Sequence, residues 1–338
     1  MSGFEEQAPH ECGFSQVFQD RILPVVESRQ EKRKSLAQKS GLTALAAGSI
    51  AAGVIIALWM YTASESFMGP LIATVGIIVA AVVVTRALQR KQRAAFDGEI
   101  AEAIGPVVCD FMGIDHFRHG VDRGFLSPDT FRALRLVGSF NRVTVQDGLE
   151  GAWRGVRYRM VEAHLQYRSG GKNRSTRTVF KGLLMRIDTP NPMPKILFLR
   201  EQGAVLGWMR DTFTGVSSLE RLEFPDPEVE EVYEVYTDDR PAAQAALSPG
   251  FGRTLLDLRD AHQGAKGYLA AAFEGRHFYL AVRQKGDFFN LGASDLEPDR
   301  FAERCRDALE DLLLPRRVID TLLGGPEAGD PHPDSTMH

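Results

Sequence analysis

Two apolar stretches dominate the first quarter of the chain. No charged residue occurs from Gly41 to Ser64, and Leu42 to Tyr61 is 20 residues long. As a helix rising about 1.5 Å per residue it would cover roughly 30 Å, the hydrocarbon thickness of a bilayer. A second uncharged run extends from Ser66 to Thr85, with Pro70 near its start, where a missing N–H costs little. Only a short turn separates the runs, so residues 41–85 are expected to form a transmembrane helical hairpin. Arg29, Lys32, Arg33, Lys34 and Lys39 precede it, Arg86, Arg90, Lys91 and Arg93 follow it, and the turn carries Glu65 alone. Under the positive-inside rule both termini then face the cytoplasm. The expected location is the cell inner membrane, multi-pass, with bilayer lipid as the first partner. Gly48, Gly53 and Gly76 lie on small-residue stripes that let helices in lipid approach closely. They serve either packing of the hairpin on itself or assembly of a homo-oligomer.

Helical periodicity flanks these runs. Phe14, Val17, Phe18, Ile22 and Val25 recur at helical spacing before the basic residues, giving an amphipathic, basic segment over residues 1–40. Phe96, Ile100, Ile104, Val108 and Phe111 continue as a stalk helix over residues 86–114, with Pro106 expected to kink or break it.

From about Phe140 the period becomes that of strands. Trp153 to Arg168 alternates first on Val156, Tyr158 and Met160, then on Val161, Ala163, Leu165 and Tyr167. Such a change of parity within one strand predicts a bulge near Met160. The turn at residues 169–173 leads into a strand from Val179 to Ile187. Ile196 to Leu199 with Ala204 to Met209 reads as another hairpin, and Val229 to Tyr236 as a further strand. Asp239 with Pro241, and Ser248 with Pro249, mark helix starts. Tyr268 to Phe273 and His277 to Arg283 form a hairpin through Glu274 and Gly275. A last helix follows Pro298, with Phe301, Cys305, Ala308, Leu309 and Leu312 on one face, and residues 324–338 read as a disordered tail. The expected class is α+β: the hairpin, then a cytoplasmic domain over residues 115–323 made of a mostly antiparallel sheet packed with helices.

Charge changes this picture locally rather than globally. The 40 Lys and Arg against 44 Asp and Glu leave a net charge of −4, which argues against a nucleic-acid partner. Between Arg154 and Arg186, however, nine basic residues face Glu162 alone, a net of +8, and between Glu220 and Asp239 nine acidic residues face Arg221 alone, a net of −8. Either the two segments pair inside the fold or the surface is strongly dipolar. In the second case Arg168, Lys172, Arg174 and Arg177 form a surface for anionic lipid or a partner, and Glu228, Glu230, Glu231, Asp238 and Asp239 an acidic partner surface. Tyr158 and Tyr167 fall on opposite parities and give no stacking platform for RNA. Cys12, Cys109 and Cys305 form no CxxC pair, so neither a disulfide framework nor a zinc ribbon is expected, and the cysteines read as free thiols.

The segment from Leu222 to Asp239, continuing through Ala242, Ala243 and Leu247-Ser248-Pro249-Gly250-Phe251, resembles an uncharacterised bacterial family, domain of unknown function 3137. Val179-Phe180-Lys181-Gly182-Leu183-Leu184 is similar to that family's Phe-Lys-Gly-Leu strand, and a two-span N-terminal anchor fits the same resemblance. The chain departs from the family pattern at Arg240-Pro241 and at Asp188-Thr189-Pro190. The resemblance implies no established activity, and at most a membrane-protein partner of the LemA-like kind.

No nucleophile, phosphate-loop or dinucleotide motif is present, and the glycines at 170 and 171 lie between strands rather than before a helix. His116 and His119 have helical spacing but no third ligand, and His164 shares the polar parity of its strand. No catalytic residue, cofactor or metal is assigned. The expected function is a membrane-anchored cytoplasmic interaction or scaffold module. The alternative is an enzyme acting on a membrane-proximal or anionic substrate, whose signature would be Arg or Lys of the basic hairpin converging with a carboxylate or with His164.

Overall fold

The computed structural model describes residues 3–30, 48–57, 68–170, 174–200, 219–247, 250–263, 268–284, 288–289, 291 and 297–323. They belong to two compact units, Met1–Val107 with Leu291–Cys305, and Val108–Asn290 with Arg306–His338.

In the first unit, α1 (Phe14–Val17) runs into a π-helical turn, Phe18–Ile22, and helix continues through residues 23–30. Phe14, Phe18, Ile22 and Val26 are fully buried. Strict four-residue spacing drifts round a 3.6-residue helix, and the wider π turn absorbs the drift. This is why Val26, rather than Val25, completes the buried stripe. The next helix, α2 (Met68–Phe111), passes through Pro106 without ending there. Ile100 and Ile104 are buried, and Glu99 is ion-paired with Arg29.

The expected transmembrane hairpin is corrected. Among the described residues no helix is long and apolar enough to cross a membrane. The membrane classification and the inner-membrane location therefore lose their support. Of the first run only residues 48–57 are described, and ten helical residues reach about 15 Å, half the required span. Residues 41–47 and 58–67 lie outside the described residues. The second run is the beginning of a 44-residue helix that carries Arg86, Arg90, Lys91, Arg93, Asp97, Glu99 and Glu102 along its course. Ile50, Val54, Val79 and Val83 are exposed, and a Cβ added at Gly48, Gly53 or Gly76 would meet nothing within 4 Å.

The second unit is built on a seven-stranded sheet in which every pairing is antiparallel. Its order is β1 (His116–Arg118), β2 (Arg142–Trp153), β3 (Val156–Arg168), β4 (Thr176–Arg200), β6 (Tyr233–Thr237) and β5 (Glu220–Leu222), with β7 (Leu269–Arg283) also beside β4. Residues 153–168 are not one strand. Arg154 (φ 49°) and Gly155 (φ 77°) make a two-residue turn between β2 and β3, a conformation suited to tight hairpins.

β3 keeps regular register with β4 from Tyr158 to Leu165, so the expected bulge near Met160 is not there; shifts lie instead on β2, between Val145 and Gly148, and between β3 and β4 after Leu165, where Gln166 pairs with Thr178. Its parity changes because residues 160–163 are covered on both faces.

β4 pairs with β7 twice, Gly182–Asp188 against Arg283–His277 and Ile196–Phe198 against Phe273–Ala271. Arg283 N donates to Tyr268 O at 2.9 Å, so β7 doubles back on itself. Its two arms lie between the two arms of β4, and residues 189–192 pass over their tip. Of the other expected hairpin, residues 204–209 lie outside the described residues.

One sheet face carries Val161, Leu165, Phe180, Leu184 and Ala281 under Phe131, Leu134 and Leu136, which belong to α3 (Pro128–Ala133) and the turn after it. The other face is aromatic. Phe251, from α6 (Phe251–Gln263), meets Phe198, Phe273 and Phe278 at ring distances of 5.2 to 5.8 Å. Residues 227–232 form α4 (Pro227–Val232) where a strand was expected. Asp226 accepts from Glu228 N at its start, and Pro227 fits the first helical position. α5 (Arg240–Ala246) begins as expected, with Asp239 as its cap. α7 (Pro298–Leu322) continues through Pro315 and buries the expected stripe from Phe301 to Leu312. In this unit Arg316 stacks 4.3 Å over Trp153, whose Nε1 donates to Asp320.

Candidate functional site

The basic segment divides according to the sheet. Arg154, Arg157 and Arg159, near the β2–β3 turn, take carboxylates outside the acidic segment: Asp320 at 3.2 Å, Asp188 at 3.2 Å and Glu150 at 2.7 Å. Of the others, Arg168, Arg174 and Arg177 lie at the β3–β4 hairpin tip, Lys181 lies opposite His164, and Arg186 lies opposite Arg159 toward the other end of the sheet. Asn141 secures this tip, donating to Arg168 O and accepting from Arg168 N, each at 2.8 Å.

Arg177 lies opposite Tyr167, with its guanidinium 5.5 Å from the ring centroid, whereas Arg168 lies opposite Thr176. Side chains alternate along a strand, so Arg168 and Arg177 are carried on opposite faces of the hairpin. Arg174 is exposed in the turn. Among the described residues the side chains of Arg168 and Arg174 meet no carboxylate. Lys172 lies outside the described residues. His164 faces Thr178 Oγ1 at 2.9 Å, not an acid.

The acidic segment serves mainly its own fold. Glu228 is ion-paired with Arg253, while Glu230 contacts Arg221 at 3.2 Å and accepts from Phe224 N at 2.5 Å. Asp238 accepts from Lys195 N at 3.0 Å, joining β6 to β4, and Asp239 accepts from Ala242 N at 3.0 Å as the cap of α5. Glu231 is exposed. A high acid count before a helix and at two strand ends is what capping and clamping require, and composition alone does not separate that use from a docking surface.

His116 and His119 are in β1 and beyond it rather than on a helix; His119 Nδ1 is 2.5 Å from Asp147 Oδ1. Among the described residues no group of three or more His, Cys, Asp or Glu could hold a metal. Cys12, Cys109 and Cys305 are free, and burial pushes the Cys109 and Cys305 thiols up. A cavity of about 240 Å³ opens beside the crossing segment, lined by Thr189, Asn191, Met193, Phe251, Phe273 and Leu322. Sequence reasoning did not find it, because its walls come from four separated stretches.

Residues 178–323 match the family model described as protein of unknown function (DUF3137). That range runs from the first arm of β4 to the end of α7 and includes both resembling motifs. No curated protein matches the chain. The crystal structure of the mycobacterial trehalose monomycolate transport factor A, TtfA, is similar at a TM-score of 0.31 and 12% identity, covering 62% of this chain and 92% of that one.

Proposed function

We propose that the sheet unit, whose residues 178–323 match that family of unknown function, is a binding module that docks an acidic segment of a partner protein at the β3–β4 tip. The supporting observation is the exposure of Arg174 in the turn and of Arg177 at the start of β4, with Tyr167 beneath Arg177, while most of the acidic segment of the same chain is engaged with Arg221, Arg253 and backbone N–H groups. Exposed cations of this kind steer an oppositely charged partner and set its register more than they add raw affinity. The Tyr167 ring adds apolar area that a purely ionic surface lacks.

The test is binding of an oligoglutamate peptide, and of vesicles containing phosphatidylglycerol, by wild type and by the Arg174→Glu, Arg177→Glu double variant. Peptide binding should weaken about tenfold in the variant and fall as salt rises. Equal peptide binding by both proteins would overturn the reading. Binding to vesicles without binding to peptide would replace the protein partner with an anionic lipid surface.

A further inference from the structure

The sheet end opposite the hairpin tip carries a cluster of charged groups in adjacent cross-strand rows. Asp188 lies opposite His277 and is ion-paired with Arg157, and two residues along, on the same face, Arg159, Arg186 and Tyr279 lie opposite one another. Each carboxylate here has its own cation. Glu150 holds Arg159 at 2.7 Å, Asp188 holds Arg157 at 3.2 Å, and Glu274 holds Lys195 at 2.9 Å. Arg186 is the cation left over: among the described residues it has no ion pair, and its Nε is buried without a hydrogen-bond partner.

His277 adds a second buried nitrogen. Its Nδ1 is 3.2 Å from Asp188 Oδ1 but makes no hydrogen bond. Tyr279 packs edge-on against Phe131 at 5.6 Å, and its hydroxyl is raised by burial and drawn down by the Arg186 charge, which places the two groups near each other. A half-buried guanidinium with no acceptor is costly unless something supplies one.

We propose that Arg186, His277 and Tyr279 form a binding site for the phosphate group of a small ligand. Three donors on three separate side chains suit a group with three acceptor oxygens, which a phosphate monoester has and a carboxylate lacks. The Asp188 carboxylate beside His277 is offset by Arg157, so it does not repel the incoming charge uncompensated.

The experiment is an NMR titration of the full chain with inorganic phosphate at constant ionic strength, following the Arg186 Nε–H and His277 ring signals, with acetate and phenyl phosphate as parallel arms. Phosphate should shift both signals saturably. Arg186→Met, Arg186→Lys and Tyr279→Phe should each weaken the response at least about tenfold, and Arg174→Glu should leave it unchanged, which separates this site from the hairpin tip. If Arg186→Met fails to fold, Arg186→Lys and Tyr279→Phe decide the matter. A response to phenyl phosphate alone would mark a phosphate ester as the ligand. Equal saturation by acetate would overturn the phosphate assignment. The absence of any saturable shift, with Arg186 Nε–H exchanging with bound water, would overturn the site.

Discussion

At Gly182 the first arm of β4 comes so close to β7 that a Cβ would stand 2.1 Å from Val282 O and 2.7 Å from Gln284 N, with φ at 151°. Both neighbours are backbone and cannot swing aside, and the φ value disfavours any side chain. The Phe-Lys-Gly motif therefore records a close approach between strands. Gly182→Ala should cost about 3 kcal/mol or more and lower Tm by roughly 6–12 °C, measured by calorimetry.

A second residue-scale effect concerns Asp311, which burial raises from the usual carboxylate range to about 6, against the N–H of Phe289 and with Asp307 and Glu310 adding to the rise. Phe289 holds φ at 49°, and its N donates to Asp311 Oδ2 at 3.1 Å. Because the folded state favours the protonated acid, this contribution is complete below about pH 4, declines as pH rises to about 6, and is absent above. Asp311→Asn keeps an acceptor for Phe289 and removes the charge. It should stabilise the protein by about 1–2 kcal/mol at pH 7 and flatten the decline between pH 4 and 6 in denaturant titrations.

At the scale of elements, legibility followed local signals. Asp239 with Pro241 announced α5 because cap and first turn are adjacent in sequence. Asp239→Ala should cost about 1 kcal/mol, read as a shifted urea midpoint with an unchanged slope. The apolar stripe of α7 and the hairpin in β7 were equally open to reading, each being periodic over a continuous stretch. Residues 229–232 were misread because they run without a break into the strand residues Tyr233, Val235 and Tyr236, while the bond that starts the helix, Glu228 N to the Asp226 side chain, lies just before them. The β2–β3 turn was missed because Arg154 adopts a conformation usually given to glycine or asparagine, and its side chain is held by Asp320, 166 residues away. The same limit applies to the candidate phosphate site. His277 and Tyr279 are alternate residues of one strand, but their meeting with Arg186 is decided by register, which sequence spacing does not contain.

For the whole molecule, composition suggested a dipole of two opposed segments, and the fold distributes them differently. The positive charge splits between the two ends of the sheet, and most of the negative charge is taken up in caps and clamps. Low ionic strength should therefore favour association at the hairpin tip without a matching gain in stability.

The place of β7 has a kinetic consequence. The two arms of β4 emerge from the ribosome by residue 200, but the strands that fill the gap between them end only at residue 283. Until then each arm presents an open edge, able to pair wrongly or with another chain. Closure requires contacts between residues as far apart as Gly182 and Arg283, which makes it a slow, late event. A chain truncated before residue 269 should aggregate rather than accumulate as a smaller folded domain, and light scattering during refolding should fall only as β7 docks.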